Sequence, residues 1–402
     1  MERKNLIKYY VAHLLYNLAF AFLTGAVVQG FLAKQGLSEN QIYTYASITT
    51  WAQVFTMSLM TFFSARIKKV KLWTTIFAGS LLVSAIILIL SALLPNLKGN
   101  TLALYIFIVS AISFAGVGVY NILSYCLPYR VMDMKEYGKI TGISSMIIGA
   151  VVFGATTLYA TITSKLDLVK VFVFFIIFSV LALVVSVCLF KSLKEINKQE
   201  EQKTNAKEEI LAVFKNKDTY ILMLPNFIRG IATGIVGVIA VLAMSGGIIV
   251  ESQASIVTIV LQAGLLVGNL LFVLTCKRFK TRTAMFISNT IFCVLLPFAF
   301  TFGTIGFIIV LVISLIFRCL VDTAIPVLVT EIIPKDEIGP FTSIRMLVFT
   351  AGQAVAPMLI TPISNSVGGV GVLVVAAVLQ FLCGLIYFIV AKTKKKSLDL
   401  LR

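Results

Sequence analysis

Apolar residues run through this chain in twelve long stretches separated by polar connections. Each stretch holds about 20–27 residues, and a helix that rises ~1.5 Å per residue needs about 20 residues to cross ~30 Å of hydrocarbon. The pattern therefore predicts an all-α membrane protein with twelve transmembrane helices. The predicted spans are 8–31, 41–64, 72–95, 101–127, 140–163, 168–190, 219–244, 253–275, 283–303, 306–332, 341–365 and 370–391.

Basic residues favour one side of these spans. Of the 34 lysines and arginines, 27 lie at the two termini or in the even-numbered connections. The odd-numbered connections hold only Lys34, Lys98, Lys165 and Lys170. Because basic residues stay on the cytoplasmic side of short loops, both termini are predicted to be cytoplasmic, in a multi-pass protein of the cell membrane.

Composition narrows the class of protein further. With 59% hydrophobic residues and a mean hydropathy of +1.00, the chain does not fit a soluble domain. The net charge of +17 is spread over short loops, so topology explains it and no nucleic-acid partner is expected. The six cysteines and the one histidine lack metal-ligand spacing, no phosphate-binding loop motif occurs, and no nucleophile–base–acid set is evident. We therefore expect no metal, no cofactor and no enzymatic activity.

The chain divides into two similar halves. A long polar segment with interleaved charges follows the sixth span. Shifting the sequence by half its length places Glu136 on Glu337 and Gly138 on Gly339, at the same topological position after the fourth helix of each half. Parallel repeats of this kind are typical of transporters with a site at the repeat interface. The predicted domains are an N-terminal six-helix bundle (1–192), a cytoplasmic linker (193–217) and a C-terminal six-helix bundle (218–402).

In these features the chain resembles the major facilitator superfamily over nearly its whole length. The loop after the second span reads SARIKKVKLW, and the loop after the eighth reads TCKRFKTRTA. Both keep the basic character of the superfamily's loop motif and lack its acidic residue and its glycine. The resemblance implies two pseudo-symmetric six-helix bundles, a monomer that works by alternating access, and a central cavity lined by helices one, four, seven and ten.

Polar side chains lie in those four spans. A charge near the bilayer centre costs at least about 2.5–3.5 kcal/mol, so each one needs a partner or a wet cavity. Arg318 and Asp322 lie one helical turn apart, and Arg229 and Asp322 each lie about ten residues from the predicted inner face, which is ~15 Å. The candidate substrate-binding residues are Arg229, Arg318, Asp322, Asn17, Asn121, Tyr120 and Asn226.

Two interpretations of the charged residues stay open. They form a structural ion-pair cluster, or two arginines facing one aspartate leave a positive cavity that binds an anionic or polyhydroxylated solute. Asp322 is also a candidate for proton coupling, because burial opposes its charge whereas arginine pairing supports it. His13 is either a packing residue or a second proton-coupling residue. The remaining polar residues either contact the solute or hydrogen-bond between helices.

Charged residues at the predicted inner side suggest a cytoplasmic gate. Acidic residues after the fourth and tenth spans could pair with basic loops after the second and eighth spans and close the inner side. The alternative is that they are solvated loop charges. The candidate gate residues are Arg66, Asp133, Glu136, Lys277, Arg278, Asp336, Glu337 and Arg345.

The sequence thus predicts a secondary active transporter. Its expected partners are a small hydrophilic solute, anionic or sugar-like, the lipid bilayer, and a coupling proton or other ion. One alternative is a flippase for lipids or amphiphiles. Another is a non-transporting sensor on a transporter scaffold, in which Arg229, Arg318 and Asp322 would neutralise one another fully.

Overall fold

The structure is a computed structural model, in which helices follow the apolar stretches closely. It describes residues 2–63, 67, 69–93, 99–127, 131, 137–194, 215, 221–275, 280–332 and 338–400. No strand occurs in these ranges. Two short 3-10 segments, Glu251–Gln253 and Leu296–Phe300, adjoin longer helices. The α-helices are α1 (Glu2–Leu23), α2 (Gly25–Lys34), α3 (Glu39–Phe63), α4 (Val70–Ala78), α5 (Leu81–Leu93), α6 (Gly99–Cys126), α7 (Tyr137–Thr163), α8 (Leu168–Ser192), α9 (Met223–Gly237), α10 (Ile239–Ser245), α11 (Ser255–Thr275), α12 (Thr281–Leu295), α13 (Gly303–Ile332) and α14 (Ile338–Leu400).

The predicted fold class is confirmed, although the number of spans does not match it one for one. Within the described part of the chain, nine helical segments are long and apolar enough to cross a membrane, and the bent pair α9 and α10 makes a tenth. Helix α3 is not among them. Helix α14 is counted once, but it covers both spans predicted at 341–365 and 370–391, and its backbone leaves helical geometry at Gly368, where φ is 71°.

Several predicted spans are broken within the apolar stretch. The first span divides at Gly25, whose φ of 61° lies in the left-handed region that glycine adopts without strain. The seventh span bends by 46° between α9 and α10. The hydropathy pattern runs through both breaks, so each was predicted as one continuous helix.

Exposed apolar side chains line one face of helix α13. On α13, Ile305, Ile309 and Ile313 lie four residues apart on one face and are 75%, 53% and 40% exposed. A continuous apolar face of this kind is unfavourable in water and suits a hydrocarbon surrounding. The chain is therefore a multi-pass membrane protein.

The chain forms two compact units. Unit 1 is Met1–Thr204 with Val250–Ile259, and unit 2 is Asn205–Ile249 with Val260–Arg402. Aromatic rings fill much of the core of unit 1; Phe31 of α2 stacks on Phe172 of α8 with ring centres 3.9 Å apart. In unit 2 the buried apolar core joins α12, α13 and α14, where Met285, Ile325, Leu328, Phe341 and Tyr387 are fully buried.

Glycine lets two helices of unit 2 approach closely. A Cβ atom at Gly230 of α9 would collide with the carbonyl oxygen of Phe349, and one at Gly352 of α14 would collide with the carbonyl oxygen of Phe227. Small residues of this kind allow backbone-to-backbone packing in membranes. The crossing therefore fixes the height of the α9 turn that carries Arg229 relative to α14.

Candidate functional site

A charged cluster lies between α9 and α13 of unit 2. Nη2 of Arg229 donates to Oδ1 of Asp322 at 2.5 Å, and Nε of Arg318 lies 3.7 Å from Oδ2 of the same carboxylate. The Arg229 side chain is 10% exposed and that of Arg318 14%, whereas the Asp322 side chain is 30% exposed. One carboxylate thus divides its two oxygens between two arginines, and it remains the most accessible member of the cluster.

The placement of the pair on α13 follows from helical geometry. At about 100° per residue, Arg318 and Asp322 lie about 140° and 180° around the helix from Ile313, which belongs to the exposed apolar face. They therefore point away from the lipid-facing side. Their four-residue spacing brings the side chains together on that opposite face.

The cluster carries a formal charge of +1. Arg229 and Arg318 contribute two positive charges and Asp322 one negative charge, and the 3.7 Å distance to Arg318 is longer than a hydrogen bond. Electrostatic attraction in a low-dielectric surrounding is stronger than in water. The arrangement can therefore attract an anion, and the carboxylate can accept hydrogen bonds from hydroxyl groups.

Aromatic packing supports Arg229 from α14. The guanidinium carbon lies 4.7 Å from the centre of the Phe349 ring, which is within cation–π range. Phe349 is on the α14 turn whose carbonyl faces Gly230. The close helix crossing and the ring together hold the guanidinium toward Asp322.

Asn226 lies next to this cluster and hydrogen-bonds to Tyr387 of α14. It lies on α9 one turn before Arg229 and is fully buried. Its amide nitrogen donates to the carbonyl oxygen of Leu222 at 2.6 Å and to the hydroxyl of Tyr387 at 2.7 Å. The hydrogen bond to Tyr387 connects α9 with α14.

Arg345 is the one candidate gate residue that the structure describes. It lies on α14, is 8% exposed, and interacts electrostatically with Tyr387. The other candidates lie outside the described residues: Arg66, Asp133, Glu136, Lys277, Arg278, Asp336 and Glu337.

The candidate residues of the N-terminal half meet inside unit 1. Nδ1 of His13 lies 3.3 Å from the hydroxyl of Tyr120, whose ring stacks on Tyr16 with centres 4.0 Å apart. Asn17 donates to the backbone carbonyl of His13 at 2.7 Å. Tyr120 is fully buried, so its contacts are those of a packing residue as much as of a binding residue.

Asn121 pairs with a neighbouring helix. Its amide nitrogen donates to Oε1 of Gln53 on α3 at 3.4 Å. The pair lies near Gly118, where a Cβ atom would be 2.7 Å from the carbonyl oxygen of Gln53. Of the two roles left open for Asn121, the structure shows a hydrogen bond between helices.

Two residues that contact the charged cluster or Asn226, and one buried residue outside the sites, were not predicted from the sequence. Tyr387 and Phe349 lie in apolar stretches that offer no polar spacing to single them out, although a buried tyrosine hydroxyl usually has a hydrogen-bond partner. Asn5 of α1 is also buried; its side chain donates to the carbonyls of Val131 and Lys194 and accepts from the Lys194 amide. Asn5 thus ties the first helix to the end of α8.

The C-terminal part of the chain matches the model of a known protein family. Residues 222–400, which include the whole charged cluster, match the family model described as Major Facilitator Superfamily. The match thus covers the C-terminal part of the chain, a little less than half of its length. No curated protein sequence matches the chain.

Solved structures of transporters share the fold of this chain. A variant of the nucleoside transporter NupG is 14% identical, with a TM-score of 0.70 over 96% of this chain and 99% of that chain. A D-xylose-proton symporter is 14% identical, with a TM-score of 0.70 over 96% of this chain and 97% of that chain. A variant of the E. coli fucose:proton symporter FucP is 14% identical, with a TM-score of 0.60 over 96% of each chain. At these identities the likeness is one of fold.

Proposed function

We propose that the chain is a secondary active transporter that moves a small, sugar-like or anionic solute across the cell membrane by alternating access, coupled to protons. The observation that carries the proposal is the carboxylate of Asp322 held between Arg229 and Arg318, away from the lipid-facing side of α13. Charged residues inside a membrane span are costly and rare, and in transporters they mark substrate and ion pathways.

The charges of the cluster favour a particular solute chemistry. The spare positive charge beside Arg318 suits a carboxylate, and the accessible oxygens of Asp322 suit hydroxyl groups. A sugar acid offers both groups in one small molecule. A neutral sugar would use the hydroxyl contacts alone, so sugar acids stand first and neutral sugars second.

The solved structures of similar fold support this class. By their names, one transports nucleosides and the others carry D-xylose or fucose together with a proton. These named solutes are polyhydroxylated. The incomplete neutralisation of the cluster also disfavours the alternative of a non-transporting sensor.

Asp322 is the proposed proton-coupling residue. In its ionised form it pairs with both arginines, and in its protonated form it would release them for the solute. The movements of proton and solute are linked because the arginines bind either the ionised Asp322 or, once Asp322 is protonated, the solute. His13 is the second candidate, because it is the chain's one histidine and its ring nitrogen is near the Tyr120 hydroxyl.

The rest of the proposed organisation comes from the sequence. Two six-helix bundles (1–192 and 218–402) rock about the site, and the segment 193–217 links them on the cytoplasmic side. Both termini are cytoplasmic because of the basic even-numbered connections. The transporter functions as a monomer, without cofactor or metal.

Flux measurements in proteoliposomes test the function. A thermal-shift panel of sugar acids, neutral sugars and other organic anions first identifies ligands, since a ligand that binds the folded state raises its stability. Uptake of the best ligand is then measured for the wild type and for Arg229→Ala, Arg318→Ala and the control Arg282→Ala at the start of α12. We expect both cluster variants to lose uptake while the control retains it.

Two results would contradict this function. Unchanged uptake in both cluster variants would remove the arginines from the substrate site. Absence of flux for every solute of the panel, together with movement of labelled lipid between leaflets, would favour the flippase instead.

A further inference from the structure

A fully buried hydrogen-bond acceptor lies one helical turn from the ion pair. Both hydrogens of the Asn226 amide are used, one by the carbonyl oxygen of Leu222 and one by the hydroxyl of Tyr387. The amide oxygen Oδ1 is buried and has no hydrogen-bond partner among the described residues. Asparagine oxygens in this position are normally satisfied, so the atom needs an explanation.

The orientation of the Asn226 amide is fixed by its partners. A backbone carbonyl can only accept, so the amide nitrogen must be the atom that faces Leu222. Leu222 lies four residues before Asn226, toward the start of α9. The oxygen is the other branch of the same planar amide group, and it makes neither of these contacts. Arg229 lies three residues further along α9.

Arg229 has a matching buried donor. Its Nη2 is engaged by Asp322, but Nε is buried and has no hydrogen-bond partner in the described part of the chain. Residues three apart on a helix are neighbours, with Cβ atoms about 5–6 Å apart. A donor without an acceptor and an acceptor without a donor therefore lie on adjacent turns of one buried helix face.

We propose that Asn226 is a second acceptor for Arg229, reached through one bridging water while Asp322 holds the guanidinium. A water accepts from Nε of Arg229 and donates to Oδ1 of Asn226, which satisfies both atoms. Tyr387 anchors Asn226 to α14, as Phe349 anchors the guanidinium. Asn226 is thus a positioning residue and not a contact for the solute.

This arrangement deepens the proposed function and rests on it for its role in transport. When Asp322 takes a proton or a solute hydroxyl, the buried guanidinium loses its charged partner. Asn226 offers an unused acceptor one turn away on the same helix, so Arg229 stays inside the protein and can pair with Asp322 again. The contact itself rests only on the geometry of unit 2.

Moving the carboxylate tests the contact without any solute. Melting temperatures are measured for Asp322→Asn, Asn226→Asp and the double variant, with Asn289→Asp as the matched control. Asn289 is a buried asparagine of unit 2 that pairs with Gln380. The cycle separates the interaction of positions 226 and 322 from the effect of each substitution alone.

The proposal predicts a specific rescue. In the wild-type background, Asn226→Asp should lower the melting temperature. In the Asp322→Asn background, it should raise the melting temperature by about 3 °C or more, because the new carboxylate lies one helical turn from Arg229. Asn289→Asp should lower it equally in both backgrounds. Simple addition of the two losses at positions 226 and 322 would overturn the proposal.

A second pair of variants covers the case in which Asn226→Asp does not fold. Asn226→Ala should cost more in the Asp322→Asn background than in the wild type, since Asn226 is then the remaining acceptor for Arg229. Equal costs would overturn the proposal. Absence of transport by the wild-type protein would instead count against the proposed function. Failure of the Asn226 proposal and failure of the proposed function are therefore distinguishable.

Discussion

Replacing Asp322 by asparagine removes the charge that serves both arginines of the cluster. The amide has nearly the same shape as the carboxylate, so packing between α9 and α13 is preserved. Arg229, with a side chain that is only 10% exposed, would then lie in the protein without a counterion. We expect a large loss of stability in unit 2, greater than that caused by removing either arginine alone.

The distances set the size of the effect. With an effective dielectric constant of about 20, Coulomb's law gives about 7 kcal/mol of attraction at 2.5 Å and about 4 kcal/mol at 3.7 Å. The net loss is smaller, because the amide oxygen of asparagine still accepts a hydrogen bond and water reaches the partly exposed side chain. Loss of one partner of a buried pair typically costs about 3–5 kcal/mol, and we expect the lower end, about 3 kcal/mol.

Thermal unfolding of the purified protein measures this loss. For a unit of 150–250 residues, about 3 kcal/mol corresponds to a melting temperature lower by about 6–12 °C. Asp167→Asn is the matched control, because Asp167 caps the exposed start of α8 and accepts from the Lys170 amide at 3.1 Å. That variant should shift the melting temperature by no more than about 1–2 °C. Equal shifts in the two variants would refute the reasoning that Asp322 compensates two buried charges.

Three further predictions concern packing and hydrogen bonds elsewhere. Gly230→Ala should destabilise the protein by about 1–3 kcal/mol, because the added methyl overpacks the helix crossing, and so should lower the melting temperature. Gly237→Ala should not, because its added methyl meets nothing within 4 Å; equal melting curves for the two variants would contradict the close crossing. Asn5→Ala should destabilise unit 1 by about 2 kcal/mol in denaturant unfolding, because three hydrogen bonds are lost and a buried carbonyl is left unpaired; a change below about 0.5 kcal/mol would contradict this. Tyr120→Phe should destabilise unit 1 by about 1 kcal/mol, because the contact of the hydroxyl with Nδ1 of His13 is lost, and should leave proton-driven uptake intact. Loss of coupling in this variant would contradict this and would indicate that His13 carries the proton.

The hydropathy pattern was sufficient to predict the helical class and the approximate spans. It could not predict the breaks at Gly25 and between α9 and α10, because a change of backbone direction leaves the apolar character of the sequence unchanged. The helix through Gly368 shows the converse. There the sequence predicts two spans, and the backbone departs from helical geometry at one residue between them.

The charged cluster was partly predictable. The four-residue spacing of Arg318 and Asp322 indicates contact within one helix, and the equal estimated depth of Arg229 placed it near the same carboxylate. The unequal distances of the two arginines depend on the α9–α14 crossing and on Phe349, which no local pattern encodes. Tyr387 is separated from Asn226 by 161 positions, so only the tertiary structure brings the two together.

The most direct test of the account is proton movement driven by the solute. A ligand found in the thermal-shift panel is added to de-energised proteoliposomes, and the external pH is recorded for the wild type and for Asp322→Asn. We predict that the wild type takes up protons with the solute, seen as alkalinisation outside, and that the variant exchanges labelled for unlabelled solute without any pH change. Alkalinisation of the same size in the variant would contradict the claim that Asp322, between its two arginines, couples solute to proton.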